Sequence, residues 1–294
     1  MKLICPNQKL FSNEIKSILR KKFICNFLDL DQNKLNKVIH KYDIVLTRFS
    51  HDIKYKKETK IRYIISPTTG ENHIDKMFFK DNRIKIITLK NEKLFLKKIN
   101  ASSELTVLLI LSYLRNFHNI LKKNKISFGQ EINNKKIGII GYGRIGKKVY
   151  KILNAFGAKL YIYDIKNIKQ KSSLNFILKN CDIISIHIPL NEDNKNFFNK
   201  NKLSKLKKGC LIVNTSRGEI IDETNLIKKL KSRDLSYATD VLSYENKRSN
   251  GKLKILESKI DNLLITPHIG GLTNESIKKT DKFIINKFLK YYEK

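Results

Sequence analysis

The segment IGIIGYGRIGKKV occupies residues 137–149 and contains Gly141, Gly143 and Gly146 in the spacing G-x-G-x-x-G. An apolar run typical of a buried strand precedes the first glycine, and a helical pattern follows the second. The first glycine permits a tight turn, the second lets the backbone approach a pyrophosphate, and the third lets helix and strand pack closely. The helix N-terminus would supply amides and partial positive charge. The segment therefore predicts a dinucleotide site in a Rossmann-type domain.

Residues around these glycines complete the expected cofactor site. Arg144 and Ile145 lie between the second and third glycines, and the next strand ends at Asp164, 18 residues after Gly146. A carboxylate there can accept hydrogen bonds from both ribose hydroxyls and repels a 2′-phosphate, so we expect NAD rather than NADP. Lys166 is close enough to weaken that preference. A glycine turn without any ligand is the alternative interpretation.

Strands and helices are expected to alternate along the chain. In the first hundred residues we expect strands at 3–5, 23–28, 43–47, 63–66 and 84–88, with helices at 9–22, 31–41 and 73–82. A second series should begin near residue 135, with strands at KIGII, KLYIY, DIISIHI, CLIVN, SYATDV and NLLIT. Longer helices are expected at 102–122 and 273–292. This alternation favours an α/β fold with two parallel-sheet domains.

Length and composition limit the class of protein. The 294 residues are 41% hydrophobic and 30% charged, which is the balance of a soluble globular chain with room for two domains. The longest apolar stretch, Leu105 to Leu114, is too short to cross a bilayer, which needs about 20 residues. The N-terminus lacks the apolar core of a signal peptide, so we expect a cytoplasmic protein. The four cysteines show no paired spacing and are expected to be reduced, and we expect no metal site.

The formal net charge of +33 raises the question of nucleic-acid binding. Of the 60 basic residues, 51 are lysine and only nine are arginine, the usual bidentate reader of guanine. Lysine is encoded by A/T-rich codons, and the basic residues are spread over nearly every segment rather than gathered in a stripe. The charge therefore indicates a compositional bias, and we expect neither a nucleic-acid nor a membrane partner.

Three later segments carry polar residues where strands should end: NTSRGEIID (214–222), ATDVLSYE (238–245) and ITPHIGG (265–271). Ligands of open parallel sheets bind outside the carboxyl ends of the strands, so these residues should share one crevice. Arg217 can hold a carboxylate, His268 can give a proton to a developing alkoxide, and Glu245 can orient the imidazole and raise its pKa. Taken singly, they could equally be a surface cation, a packed histidine and a loop carboxylate.

Together these motifs resemble the D-isomer-specific 2-hydroxyacid dehydrogenases, and within them the D-3-phosphoglycerate dehydrogenase-like branch. The family's arginine motif is matched by Asn214–Gly218, its D-V segment by Asp240 with Glu245 five residues later, and its T-P-H-I-G-G motif by Thr266–Gly271. The resemblance covers nearly the whole chain and is strongest from residue 136 to 271. It implies an NAD-dependent enzyme with Arg217, Glu245 and His268 as catalytic residues.

The resemblance also implies roles for further residues. Asp240 would bind the nicotinamide carboxamide, with Thr215 and Ser216 nearby, and His187 and Pro189 would line the cofactor cleft. The loop SPTTGENHID at 66–75 resembles the one whose backbone amides hold the substrate carboxylate, which suggests Thr69, Gly70, Glu71 and Asn72. Phosphoglycerate-type members usually carry arginines after the third strand, where this chain has Arg48 as a candidate for binding a phosphate.

The expected architecture is a discontinuous two-domain protein. Residues 1–100 with 271–294 would form a flavodoxin-like substrate domain, and residues 101–270 a Rossmann NAD-binding domain. The apolar helix at 102–122 would lie in a homodimer interface. The expected reaction interconverts a D-2-hydroxy acid and its 2-oxo acid, phosphoglycerate first. The alternatives are another small 2-hydroxy acid of the glyoxylate, hydroxypyruvate or sugar-acid type, and a non-catalytic NAD(H)-sensing corepressor.

Overall fold

The structure is a computed structural model that describes residues 1–166, 168, 171–243 and 251–293. The chain forms two compact units. The first comprises Met1–Ile99 together with Leu272–Lys294, and the second comprises Asn100–Gly271. Strands and helices are numbered here in chain order through both units.

The first unit is built on a five-stranded parallel sheet. Its strands are β1 (Lys2–Cys5), β2 (Ile24–Phe27), β3 (Ile44–Leu46), β4 (Tyr63–Ser66) and β5 (Lys85–Thr88). Their order in the sheet is β2-β1-β3-β4-β5, which is the flavodoxin-like order. Each of the five strands coincides with one of the apolar runs of the first hundred residues, so these strand predictions are confirmed.

The helices of the first unit are α1 (Asn13–Arg20), α2 (Gln32–Val38), α3 (Lys93–Leu96) and α11 (Asn274–Tyr292). Helix α11 begins after Thr273, whose hydroxyl accepts a hydrogen bond from the amide of Ser276 at 3.1 Å. Its apolar face carries Ile284, Ile285 and Phe288, which are fully buried in a cluster with side chains of β1 and β3. The last segment of the chain therefore completes the core that the first segment begins.

The helix expected at 73–82 is only a short 3₁₀ helix at Lys76–Lys80. Ile74 forms a parallel bridge with Ile53, and the amide of Asp75 donates to the Ile53 carbonyl at 2.9 Å. Because this pairing holds the start of the segment in an extended conformation, too few residues are left before β5 for a longer helix.

The second unit contains a six-stranded parallel sheet. Its strands are β6 (Lys136–Ile140), β7 (Lys159–Tyr163), β8 (Ile183–Ile186), β9 (Cys210–Asn214), β10 (Leu235–Thr239) and β11 (Leu263–Ile265). Their order is β11-β10-β9-β8-β6-β7. Ile162 of β7 forms an isolated parallel bridge with Lys171. Lys171 thus occupies the position of the outermost strand of the Rossmann order. The α/β prediction with two parallel sheets is confirmed.

The helices of the second unit are α4 (Ala101–Leu114), α5 (Phe117–Lys123), α6 (Arg144–Ala155), α7 (Leu174–Asn180), α8 (Lys200–Ser204), α9 (Glu223–Lys231) and α10 (Gly251–Glu257). The prediction of one helix over 102–122 is wrong, because α4 and α5 are separate. Asn116 interrupts them with a φ of 52°, in the left-handed region that asparagine tolerates better than most residues. No helix within the described ranges is both long and apolar enough to cross a membrane.

The four cysteines lie in or next to strands and are free thiols. Burial raises the pKa of Cys5 and of Cys181 to about 12, and it also raises the pKa of Cys210. Since the thiolate is the reactive form, these three side chains behave as small apolar core residues.

Candidate functional site

The glycine loop makes a tight turn between β6 and α6. Gly141 has a φ of 95°, and a Cβ there would lie 2.8 Å from the backbone of His187. A Cβ at Gly146 would lie 2.1 Å from the Gly141 carbonyl oxygen. At Gly143, in contrast, the position of a Cβ is surrounded by open space to 4 Å. The first and third glycines are thus required by the protein's own packing, whereas the second leaves backbone accessible to a ligand.

Asp164 is held directly against this loop. One carboxylate oxygen accepts a hydrogen bond from the amide of Tyr142 at 2.6 Å, and the other accepts from the amide of Lys166 at 2.8 Å. A carboxylate oxygen has two acceptor positions, so each still has one for a hydroxyl. The ionised side chain is therefore fixed where a ribose diol could bind it.

These features fit a bound dinucleotide. The backbone amides of Gly143, Arg144 and Ile145 begin a 12-residue helix and can hold a pyrophosphate. Burial lowers the pKa of Arg144, although a guanidinium remains charged at neutral pH. Asp164 would hold the adenosine ribose. The arrangement is that of an NAD site, in agreement with the spacing of the glycines.

His187 and Pro189 follow β8 at the same edge of the sheet. The His187 Nε2 atom lies 2.8 Å from the Ser185 hydroxyl, while Nδ1 is shielded from solvent and has no hydrogen-bond partner among the residues that the structure describes. Burial lowers the pKa of His187 to about 3, so the ring is neutral at physiological pH. Pro189 is exposed, and its carbonyl accepts from the side-chain amide of Asn194 at 2.9 Å. His187 therefore offers an uncharged ring beside the glycine loop.

Arg217 lies in a turn that the buried side chain of Asn214 organises. Asn214 donates from Nδ2 to the Arg217 carbonyl at 2.9 Å and accepts at Oδ1 from the Ser216 amide at 3.0 Å. The Ser216 hydroxyl donates to the carbonyl of Ile186 at 2.9 Å, which ties the turn to β8. The Arg217 guanidinium donates to the Ser216 carbonyl at 2.6 Å. Arg217 is thus half-buried on a fixed backbone.

Two further contacts fix this turn. The Thr215 and Thr106 hydroxyls are 2.8 Å apart, which links the turn to α4. A Cβ on Gly218 would lie 2.1 Å from the backbone of Leu242 and Ser243. The glycine of the N-T-S-R-G motif is therefore required by the close approach of the segment that follows β10.

Asp240 and His268 follow β10 and β11. Asp240 is 2% exposed, and its carboxylate accepts hydrogen bonds from the Thr266 hydroxyl at 2.6 Å, the Ile269 amide at 2.8 Å and the Gly270 amide at 2.7 Å. Burial raises the pKa of Asp240, while these hydrogen bonds and the charge of His268 lower it in part. His268 is half-buried and has a φ of 56°.

The sheet brings most of the predicted residues of the second unit to one edge. The glycine loop follows β6, His187 follows β8, Arg217 follows β9, Asp240 follows β10 and His268 follows β11. These strands are parallel neighbours, so all five features lie at their carboxyl ends. Glu245, the expected partner of His268, lies outside the described residues. The sequence did not single out Asn214 as a supporting residue, although it begins the motif that contains Arg217.

The loop at 66–75 of the first unit is held by its own hydroxyl groups. The Ser66 and Thr68 hydroxyls are 2.9 Å apart, and Thr68 donates to the Gly70 carbonyl at 2.8 Å. The Glu71 carboxylate accepts from the Thr88 hydroxyl at 2.8 Å and forms an ion pair with Lys90 at 2.6 Å. Glu71 therefore stabilises the conformation of the loop. Thr69 and Asn72 are exposed, which leaves them accessible to a substrate.

The expectation that Arg48 binds a substrate phosphate is wrong, because its guanidinium is already paired with a buried carboxylate. Arg48 is 5% exposed and donates to Asp281 of α11 at 2.7 Å and to the Leu10 carbonyl at 2.9 Å. Its guanidinium also lies 5.1 Å from the centre of the Phe11 ring. Asp281 has no exposed surface. The positive charge is thus neutralised inside the first unit, where it attaches α11 to the loop after β3.

Comparison with known proteins identifies the family of this chain. Residues 107–270 match the family model of the D-isomer specific 2-hydroxyacid dehydrogenase, NAD binding domain. The chain is 36% identical over 176 residues to a D-3-phosphoglycerate dehydrogenase of Haemophilus influenzae, an alignment that covers 57% of this chain and 43% of that protein.

Two other relatives extend the comparison. The chain is 35% identical over 245 residues to an aromatic 2-oxoacid reductase of Clostridium sporogenes, covering 75% of this chain and 72% of that protein. The structure of D-lactate dehydrogenase from Escherichia coli superimposes with a TM-score of 0.84 at 24% identity, over 100% of this chain and 97% of that one. The chain belongs to the D-isomer specific 2-hydroxyacid dehydrogenase family.

Proposed function

We propose that this protein is an NAD-dependent oxidoreductase that interconverts a D-2-hydroxy acid and its 2-oxo acid. The observation that carries the proposal is the placement of Arg217 and His268 after β9 and β11, at the same edge as the glycine loop after β6. β9 and β11 are separated by one strand, so their ends are roughly 10 Å apart. A small acid is large enough to contact a guanidinium and an imidazole at that separation.

Each side chain has one task in this reaction. Arg217 forms a bidentate, charge-assisted pair with the substrate carboxylate and so orients C2. His268 gives a proton to the C2 oxygen when the oxo acid is reduced, and it takes that proton back in the reverse direction. NADH supplies the hydride to C2 when it is bound. The sequence motifs further predict that backbone amides of Thr69–Asn72 bind the carboxylate and that Glu245 orients the imidazole.

The cofactor preference depends on Asp164. Its ionised carboxylate, held by the amides of Tyr142 and Lys166, favours a free 2′-hydroxyl over a 2′-phosphate. We therefore assign NAD as the cofactor. Turnover with NADH should exceed turnover with NADPH at equal concentration. Replacement of Asp164 by Asn should reduce the ratio of turnover with NADH to turnover with NADPH.

The proposal also names a substrate, which is defined by the side chain of the acid. We place a phosphoglycerate-type acid first, on the basis of the match to D-3-phosphoglycerate dehydrogenase and of the net charge of +33, which attracts anions. Arg48 has no part in this preference, because it is paired with Asp281. A short unphosphorylated acid of the glyoxylate or hydroxypyruvate type, a sugar acid, or the aromatic 2-oxo acid of the Clostridium relative is the alternative.

A panel of 2-oxo acids assayed with NADH and NADPH tests the function directly. Sustained oxidation of NADH with 3-phosphohydroxypyruvate above glyoxylate, pyruvate and phenylpyruvate supports the proposal with its first substrate. The His268→Gln variant should retain NADH binding and lose about 10²–10⁴-fold in kcat, the contribution of a positioned acid–base group. NADH binding without turnover on any oxo acid would instead favour an NAD(H)-sensing corepressor.

We also propose a homodimer in which α5 contacts a second copy. Helix α5 buries His118 and Asn119, which each donate to the Asp261 carbonyl at 2.9 Å. Four apolar residues in and after this helix are exposed to solvent: Phe117 is 51%, Leu121 69%, Ile126 99% and Phe128 97% exposed. Such a patch is typical of an interface. A Leu121→Glu variant should be monomeric by light scattering, and an unchanged mass would contradict this interface.

We place the protein in the cytoplasm, where thiols stay reduced. Its four cysteines are free, and three of them are buried in the cores of the two units.

A further inference from the structure

His268 adopts a backbone conformation that residues other than glycine rarely populate. Its φ of 56° lies in the left-handed region, which costs a residue other than glycine on the order of 1–3 kcal/mol. Some interaction of the surrounding structure must therefore hold the backbone in this state.

The carboxylate of Asp240 makes hydrogen bonds on both sides of His268. On the N-terminal side it accepts from the Thr266 hydroxyl, and on the C-terminal side from the successive amides of Ile269 and Gly270. Successive amides of this kind form a concave nest that binds anions. Here the nest is occupied by the protein's own carboxylate.

Asp240 is itself anchored and cannot move away. Its amide donates to the Asn214 carbonyl at 3.0 Å, and the Thr266 amide donates to the Thr239 carbonyl at 2.8 Å. The side chain is 2% exposed, so loss of a donor cannot be replaced by bulk water without opening the structure. A Cβ on Gly270 would lie only 2.8 Å from Oδ2 of Asp240, so alanine at that position would displace the carboxylate.

The hydrogen bonds leave little of Asp240 for a ligand. Oδ1 accepts two hydrogen bonds, from Thr266 and Ile269, which uses both of its acceptor positions. Oδ2 accepts one, from Gly270. One position is left for the nicotinamide carboxamide that the family resemblance implies, whereas three are used to hold the turn.

We propose that Asp240 is a positioning residue for the reaction proposed above: its carboxylate fills the Ile269–Gly270 nest and holds the His268 imidazole in its orientation. This inference rests on the proposed function of His268 as the proton donor. A misplacement of about 1 Å can cost a reaction about 10²-fold, so loss of the carboxylate should act on kcat.

The central experiment is the Asp240→Asn variant, whose amide nitrogen cannot accept from Gly270. We expect kcat to fall about 10- to 100-fold, while KM for the oxo acid and the Kd of NADH stay within about threefold. The Asp234→Asn variant removes a carboxylate from the same unit outside the site and should leave kcat unchanged. The Thr266→Val variant removes one of the three hydrogen bonds and should give an intermediate kcat.

A cofactor analogue separates positioning from carboxamide binding. In 3-acetylpyridine adenine dinucleotide the carboxamide nitrogen is replaced by a methyl group, so it cannot donate to Asp240. If Asp240 positions His268, the Asp240→Asn substitution lowers kcat by the same factor with the natural cofactor and with the analogue. If the loss disappears with the analogue, or if NADH affinity falls while kcat is retained, the proposal is wrong.

A measurement without cofactor or substrate tests the same contact. In the cofactor-free protein, the amides of Ile269 and Gly270 should exchange with solvent about tenfold faster or more in the Asp240→Asn variant than in the wild type. Unchanged exchange would overturn the proposal. If wild-type protein turns over no 2-oxo acid, the proposed function fails and amide exchange alone decides whether Asp240 holds the turn.

Gly270→Ala provides a second variant if Asp240→Asn does not fold. It keeps the carboxylate, but the new Cβ would displace Oδ2. It should lower kcat to a similar extent and accelerate exchange of the Ile269 amide. Full kcat in a folded Gly270→Ala protein would contradict the inference.

Discussion

The side-chain amide of Asn214 donates to the backbone carbonyl of Arg217 at 2.9 Å, so a buried residue at the end of β9 sets the path of the turn that carries Arg217. The Asn214→Ala variant leaves that carbonyl, the Ser216 amide and the Tyr237 hydroxyl without this partner. We expect kcat/KM to fall about 10²-fold, because Arg217 moves relative to the substrate.

Steady-state kinetics of Asn214→Ala beside Asn225→Ala measure this effect. Asn225 lies in α9, and its amide and side chain both donate to Asp222 at the start of the same helix. An equal loss of activity in both variants would show that general destabilisation, rather than the position of Arg217, is responsible.

Replacement of Arg48 by Ala should destabilise the fold. The buried Asp281 carboxylate would lose its ion-pair partner, which typically costs about 3–5 kcal/mol. The ratio of kcat/KM between 3-phosphohydroxypyruvate and glyoxylate should not change. Urea unfolding and this ratio are the two measurements.

The Arg83→Ala variant is the control for charge removal in the first unit. Arg83 pairs with Asp81 at 2.7 Å, but its side chain is 66% exposed, so its removal should change stability far less. A selective loss of the phosphorylated substrate in Arg48→Ala, with stability retained, would restore the phosphate-binding role.

Gly143 and Gly146 should respond differently to alanine. At Gly143 a Cβ meets open space, so the Gly143→Ala protein should fold normally but bind NADH at least about tenfold more weakly, a loss of about 1.4 kcal/mol. At Gly146 a Cβ would lie 2.1 Å from the Gly141 carbonyl, and overpacking of this kind costs about 1–3 kcal/mol of stability. NADH titration and thermal unfolding of both variants separate the two effects. Normal NADH affinity in Gly143→Ala would argue against pyrophosphate at this glycine.

His187 should make the stability of the protein depend on pH. Its pKa is lowered from 6.5 to about 3 by burial, so the unfolded state binds a proton that the folded state excludes. The neutral ring makes its full contribution to the free energy of unfolding above pH 6.5. This contribution is lost as the pH falls from 6.5 toward 3, by at most about 1.4 kcal/mol per pH unit. Denaturant unfolding from pH 7.5 to 5 should show a shallower dependence for His187→Asn. Identical slopes for the two proteins would exclude His187 as the cause.

Sequence alone was sufficient for the features that depend on neighbouring residues. Each parallel strand is a local apolar run, and the glycine loop, the R-G turn and the T-P-H-I-G-G segment are contiguous motifs, so the fold class and the family followed from patterns within short windows. The parallel arrangement also placed Arg217 and His268 at one edge of a sheet, because the carboxyl ends of parallel strands coincide.

The tertiary structure decided the contacts between residues that are distant along the chain. Asp281 lies 233 residues after Arg48, and only their approach in the folded protein shows that this arginine is neutralised. The partners of Asp240 lie 26 to 30 residues after it, and the break at Asn116 is set by a backbone conformation that the apolar pattern of 102–122 does not reveal. Hydrophobic periodicity records which side of an element is buried, whereas a buried charge is stable only beside its specific partner, and that partner is determined by packing in three dimensions.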